Sequence, residues 1–227
     1  MGMGISLKLN QSQDDIVKQI LNSIASRANA AFRGVATSAP LALKGQVEGA
    51  ILDCPEINSL QGGALLAELG LPSGIASTAP QAIARDVSSN VFLTQNPVKL
   101  IGDKLVGGLE LGIMPETNWP SVWGISQASF KYYSQRYKKN IKLDWLYWLL
   151  FMGDTIVVNN FQVEFGAFGR TGKGRMTESD GVGWKISSNF SGTQDDNFIT
   201  RALEDPIVQN NIASILQKSV QQNWGGR

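Results

Sequence analysis

Apolar positions in the first fifty residues fall at helical intervals. After Ser12-Gln13-Asp14-Asp15, where Ser12 can cap and Asp15 can reach back to it, Ile16, Val17, Ile20, Leu21, Ile24, Ala28, Ala31, Phe32 and Val35 recur every few residues. This predicts one long helix with a single apolar stripe. Pro40 interrupts it, and Leu43, Val47, Ala50, Ile51 and Cys54 predict a second helix over 41–54, ended by Pro55. Leu60, Leu65, Leu66 and Leu69 predict a short third helix closed by Gly70 and Pro72. Residues 71–79 carry Pro72, Ser73, Gly74, Ser77 and Thr78, and read as a loop between a helical and a sheet section.

Beyond that loop, Asn90–Thr94, Val98–Ile101 and Leu105–Ile113 are rich in β-branched and aliphatic residues, with Gly102-Asp103 as a turn, so a small antiparallel sheet is expected. Residues 114–139 are aromatic (Trp119, Trp123, Phe130, Tyr132, Tyr133, Tyr137) without a sustained period, and read as loop with a short helix. Leu143–Met152 reads as a buried helix that Gly153 stops. Thr155–Val158 and Phe161–Phe165 flank Asn159-Asn160, a pair that tolerates positive φ and predicts a hairpin turn. Asn197–Leu203 and Pro206–Val220 then predict one or two terminal helices, with Asp205 as cap and Pro206 in the first helical position. The expected fold is α+β in a single domain, 1–227, with a long surface excursion. Its helical section spans about 12–70, its small sheet with hairpins about 80–190 and its terminal helices about 197–221.

Composition narrows the chemistry. Lysine and arginine number 20 against 19 acidic residues, so no basic field argues for a nucleic-acid-binding surface. Only 17% of residues are charged, and the 24 glycines with many Ser, Asn and Gln suggest contact with neighbours through neutral polar and aromatic surface. Histidine is absent, which removes the commonest general base and metal ligand, and with them triad hydrolases and histidine-ligated zinc enzymes. The single cysteine, Cys54, has no partner for an intramolecular disulfide and reads as a small core thiol. The longest apolar run, Trp145–Met152, falls well short of the roughly 20 residues of a membrane-spanning helix, so no membrane partner is expected. Met1-Gly2-Met3-Gly4-Ile5-Ser6 formally fits a myristoylation pattern but reads as a flexible start or tag remnant, and no cleavable secretion signal follows.

Few motifs carry chemistry. Gly166–Gly174 follows a predicted strand, as a phosphate-cradling loop would, yet Ala167 stands where a P-loop has glycine and Gly174 where it has the magnesium-binding hydroxyl. The alternative is an interface loop whose Arg170, Lys173 and Arg175 meet a neighbouring subunit or a phosphate backbone. Asp14-Asp15 and Asp195-Asp196 lie near helix starts, where the dipole explains them without a metal. Trp145 and Trp148 share a helix face among apolar neighbours and read as core. Trp119 and Trp123 sit in polar sequence and are the better interface candidates. No catalytic residue, cofactor or metal is expected.

Leu143-Asp144-Trp145-Leu146, Leu149-Leu150, Gly153-Asp154, Val163-Glu164-Phe165, Arg170-Thr171-Gly172 and Met176 together resemble a family of tailed-bacteriophage virion proteins. Phe190-Ser191-Gly192-Thr193 and Asn197–Arg201 are similar to the same family's later signature, in register with the first. The amino-terminal half is similar in layout only. The resemblance implies a neck, head–tail connector or tail-completion component, with a tail-tube, terminator or baseplate subunit as the alternative. It implies a six- or twelve-fold homo-oligomeric ring contacting portal or tail proteins around packaged DNA, located in the virion and, before assembly, in the host cytoplasm. Two positions depart from the pattern: Gly169 stands where relatives carry serine, and Lys173 makes the loop more basic. The competing class is a nucleotide-binding enzyme using residues 166–174.

Overall fold

The structure is a computed structural model that describes residues 12–134 and 138–225; the Met1–Ser6 pattern and Tyr137 lie outside them. By its contacts the chain forms two compact units. The smaller comprises Met1–Pro40, Phe92–Leu111 and Ser214–Arg227, the larger Leu41–Val91 and Gly112–Ala213. The class is α+β, with three separate two-stranded antiparallel sheets where one small sheet was expected.

In the smaller unit, α1 (Gln13–Ser38) starts at the predicted Ser12 cap, with Asp15 reaching back to the Ser12 hydroxyl and not to the backbone N–H that a capping box would use. Ser12 Oγ donates to Asp15 Oδ2 at 2.6 Å and accepts the Asp15 N–H at 3.2 Å. Ala25, Ala28, Ala31 and Val35 are buried on its C-terminal half. Of these, Ala25 and Ala28 face β1 (Phe92–Ile101), where Val98 joins them in a cluster completed by Phe32, Leu105 and Trp224. Asn29 clamps the strand: its Nδ2 donates to the Val98 carbonyl at 2.9 Å, and its Oδ1 accepts the Val98 N–H at 2.7 Å. One amide thus replaces the missing neighbour strand for that peptide. β2 (Lys104–Gly112) returns beside β1 after the predicted turn, with Gly102 at φ 61°. The gap expected at Gln95–Pro97 does not break the strand, because in a two-stranded sheet every strand is an edge and can hold a proline. The N-terminal half of the α1 stripe stays uncovered, with Val17 47%, Ile20 54% and Ile24 40% exposed.

The larger unit begins with α2 (Pro40–Leu52), α3 (Pro55–Gly62) and α4 (Ala64–Leu69), which ends as predicted in left-handed Gly70. Of the loop expected at 71–79 only Leu71 and Pro72 remain outside a helix: α5 (Ser73–Ser89) takes up the rest, with Pro80 inside it. The inward residues Ala76, Ala79, Ile83, Ala84 and Val87 keep helical spacing, but the first are too small to register as an apolar stripe. The aromatic segment contains α6 (Trp119–Gly124) and half of an unforeseen hairpin. Its strands β3 (Phe130–Ser134) and β4 (Lys139–Leu143) pair with Phe130 opposite Leu143.

The predicted buried helix is α7 (Trp145–Phe151), with Trp145, Leu146, Leu149 and Leu150 fully covered. The turn expected at Asn159-Asn160 is absent. β5 (Val158–Phe165) continues through both residues and pairs with β6 (Gly174–Trp184), the register shifting between Asn159 and Phe161. Asn160 does take positive φ, 59°, but as a bulge, so the local signal was correct and its consequence was not. The chain reverses instead at the glycine-rich 166–173. In α8 (Phe198–Glu204) the buried Asn197 caps Ile199 and Thr200. In α9 (Pro206–Trp224) Asp205 Oδ1 accepts from the Ile207 and Val208 N–H groups, as expected.

Candidate functional site

The 166–174 segment is the tip of the β5–β6 hairpin. A phosphate-cradling loop leads into a helix N-terminus, and this one leads into β6. The tip is closed by its backbone: the Gly166 N–H donates to the Lys173 carbonyl at 2.9 Å and the Gly174 N–H to the Phe168 carbonyl at 3.2 Å. Gly169 has φ 75°, and a Cβ there would stand 2.0 Å from the Gly174 carbonyl oxygen. The serine of the resembling pattern therefore does not fit this turn.

The three basic residues of the tip have different roles. Arg170 donates to the Gly70 carbonyl at the C-terminus of α4 and lies 5.1 Å from the Phe130 ring centroid. Partial desolvation lowers its pKa. Within the chain it ties the hairpin tip to a helix end. Arg170→Ala is expected to lower stability by about 1–2 kcal/mol, read from chemical denaturation. Arg175 pairs with Glu164 across the strands at 3.0 Å and lies 4.7 Å from the Phe168 ring centroid. Lys173 is exposed, and among the described residues its ammonium makes no ion pair or hydrogen bond.

Trp119 and Trp123 are one helical turn apart on α6 and share a face, which packs on Tyr147 and Phe151 of α7. Trp119 meets Phe151 edge-on at 5.4 Å; Trp123 meets Phe151 at 5.0 Å and Tyr147 at 5.6 Å. Trp119 is only 7% exposed and Trp123 is half-buried, so the expectation that a monomer leaves both wet is corrected. Their polar sequence neighbours concealed an intramolecular aromatic cluster.

Trp119 also lines a cavity of about 580 Å³, together with Met114, Ile199 and Leu203. Glu116, Asp195 and Glu204 line the same cavity and are exposed. Gln194 Nε2 donates to Glu116 Oε1 at 3.1 Å. An apolar floor beneath three carboxylates suits a long cationic side chain, whose methylenes and charge want different surroundings. The spacing of these residues along the chain gave no sign of this arrangement.

A wider groove of about 780 Å³ is lined by Gly45, Gly49, Cys54, Glu56, Arg201 and Ile207, among others. Cys54 is 5% exposed, and burial, helped by the charge of Glu56, pushes its thiol up to about 12. Such a group is neutral and a poor nucleophile near neutrality. Arg201 bridges two carboxylates, Glu56 Oε1 and Asp196 Oδ1, each at 2.7 Å. The pairing of Arg201 with Glu56 was not foreseen, since 145 residues separate them. Among the described residues no group of three or more Cys, Asp or Glu side chains is placed to hold a metal ion, and no helix is long and apolar enough to cross a membrane. No protein-family model, curated protein or solved structure matches this chain.

Proposed function

We propose that the chain is a structural subunit of a tailed-phage virion, a neck or tail-completion protein that forms a six- or twelve-fold ring around the DNA channel and meets portal or tail proteins there. The reading starts from the ordered motifs of residues 143–201. The structural observation that supports it is the apolar stripe left bare on one face of α1, where Val17 is 47%, Ile20 54% and Ile24 40% exposed. A contiguous apolar stripe on a well-formed helix is what a subunit keeps for a neighbour.

Closed rotational symmetry is the expected assembly, because each copy must bind the next head-to-tail around a channel. Purified virions of the phage encoding this sequence, probed by mass spectrometry and antibody labelling in electron micrographs, are expected to carry the chain at the head–tail junction. Labelling at the tail tip would move it to the baseplate, and absence from virions would overturn the reading. Nucleotide hydrolysis abolished by Lys173→Ala would transfer support to the nucleotide-binding alternative.

A further inference from the structure

We propose that Lys173, at the β5–β6 tip of one copy, inserts into the acid-rimmed cavity of Glu116, Asp195 and Glu204 on the next copy. This rests on the reading of the chain as a self-assembling subunit and names the contact by which it assembles. Both halves of the contact belong to the larger unit, and each lacks a counterpart. Of the three basic residues at the tip, Arg170 is held by Gly70 and Phe130, and Arg175 by Glu164 and Phe168. Of these three, Lys173 is the one whose side chain meets no partner among the described residues. In the cavity, Asp195 and Glu204 have no ion-pair partner among the described residues, and Glu116 accepts only from the neutral Gln194 amide.

The chemistry of the two surfaces is complementary. A lysine side chain lays its four methylenes on the buried Met114, Trp119 and Ile199 and brings its ammonium among the carboxylates. The hairpin suits insertion, since its tip is narrow and glycine-rich and its strands carry the exposed apolar residues Phe165 (56%) and Met176 (39%), which can cover the cavity mouth. The contact joins unlike surfaces of identical chains. It is therefore heterologous, and it closes into a ring when the rotation between copies divides a full turn. Trp119 takes part as the covered floor of the receiving pocket, a different role from the exposed anchor its sequence suggested.

The test couples amines to touching carboxylates with a carbodiimide in a mixture of isotope-labelled and unlabelled full-length chain, followed by mass spectrometry. The expected product is an intermolecular amide between Lys173 and Glu116, Asp195 or Glu204. Its yield should fall with salt, and the total coupling between copies should fall by about tenfold or more in Lys173→Glu, the size that a contact worth about 1.4 kcal/mol gives. Mixing Lys173→Glu with Glu204→Lys chain should restore coupling between copies. If copies couple to one another but never through Lys173, the contact is wrong and the subunit reading stands. If no intermolecular product forms at any concentration, the contact is overturned, and detection of the chain in virions then decides the subunit reading separately.

Discussion

Trp145→Ala is expected to lower the stability of the larger unit by about 3–5 kcal/mol, the usual cost of removing a large aromatic side chain from a packed interior. Trp145 is fully buried on α7 beside Leu146, Leu149 and Leu150. A seven-residue helix has little stability of its own, so its place depends on such tertiary contacts. The indole Nε1 also donates to the Gln127 carbonyl at 2.8 Å, so the substitution leaves a backbone acceptor unpaired as well as a cavity. Trp145→Phe fills most of the volume and isolates the hydrogen bond, and should cost about 1–2 kcal/mol. The denaturation midpoint should shift with an unchanged slope. An unchanged midpoint would mean that the ring is not core, and its role would have to be sought in binding.

Much of the fold was legible wherever the signal was local. Ser12, Gly70, Asn197 and Asp205 act through backbone groups within a few residues, and each helix end they mark was anticipated. α7 was legible because its apolar residues are large. α5 was missed for the opposite reason: its inward face is mainly alanine, and Pro72, Gly74 and Pro80 imitate loop composition. The β5–β6 turn was misplaced because positive φ at Asn160 is compatible with a turn or a bulge, and only the partner strand decides which.

The interaction surfaces were less legible. The basic tip was found from its residues, but the engagement of Arg170 by Gly70 depends on a contact 100 residues away along the chain. The pocket of Glu116, Asp195 and Glu204 is likewise assembled from distant segments. Trp119 and Trp123 illustrate the converse error, since exposure was inferred from polar neighbours when the aromatic face was already matched by Tyr147 and Phe151 on another helix.

Arg201→Ala should be the second strongly destabilising change, at about 3 kcal/mol, because it leaves the Glu56 carboxylate buried without its cation. The Glu56 side chain is 7% exposed and that of Arg201 40%, so the cost comes from the desolvated acid, and solvent screening of the arginine keeps it at the lower end of the range for broken buried pairs. Asp196, 72% exposed, loses the same partner at little cost because water replaces it. The source can be identified by a second substitution. Glu56→Gln in the Arg201→Ala background removes the buried charge and should recover part of the loss. A deficit unaltered by Glu56→Gln would show that Arg201 acts through its packing in the groove and not through the buried carboxylate.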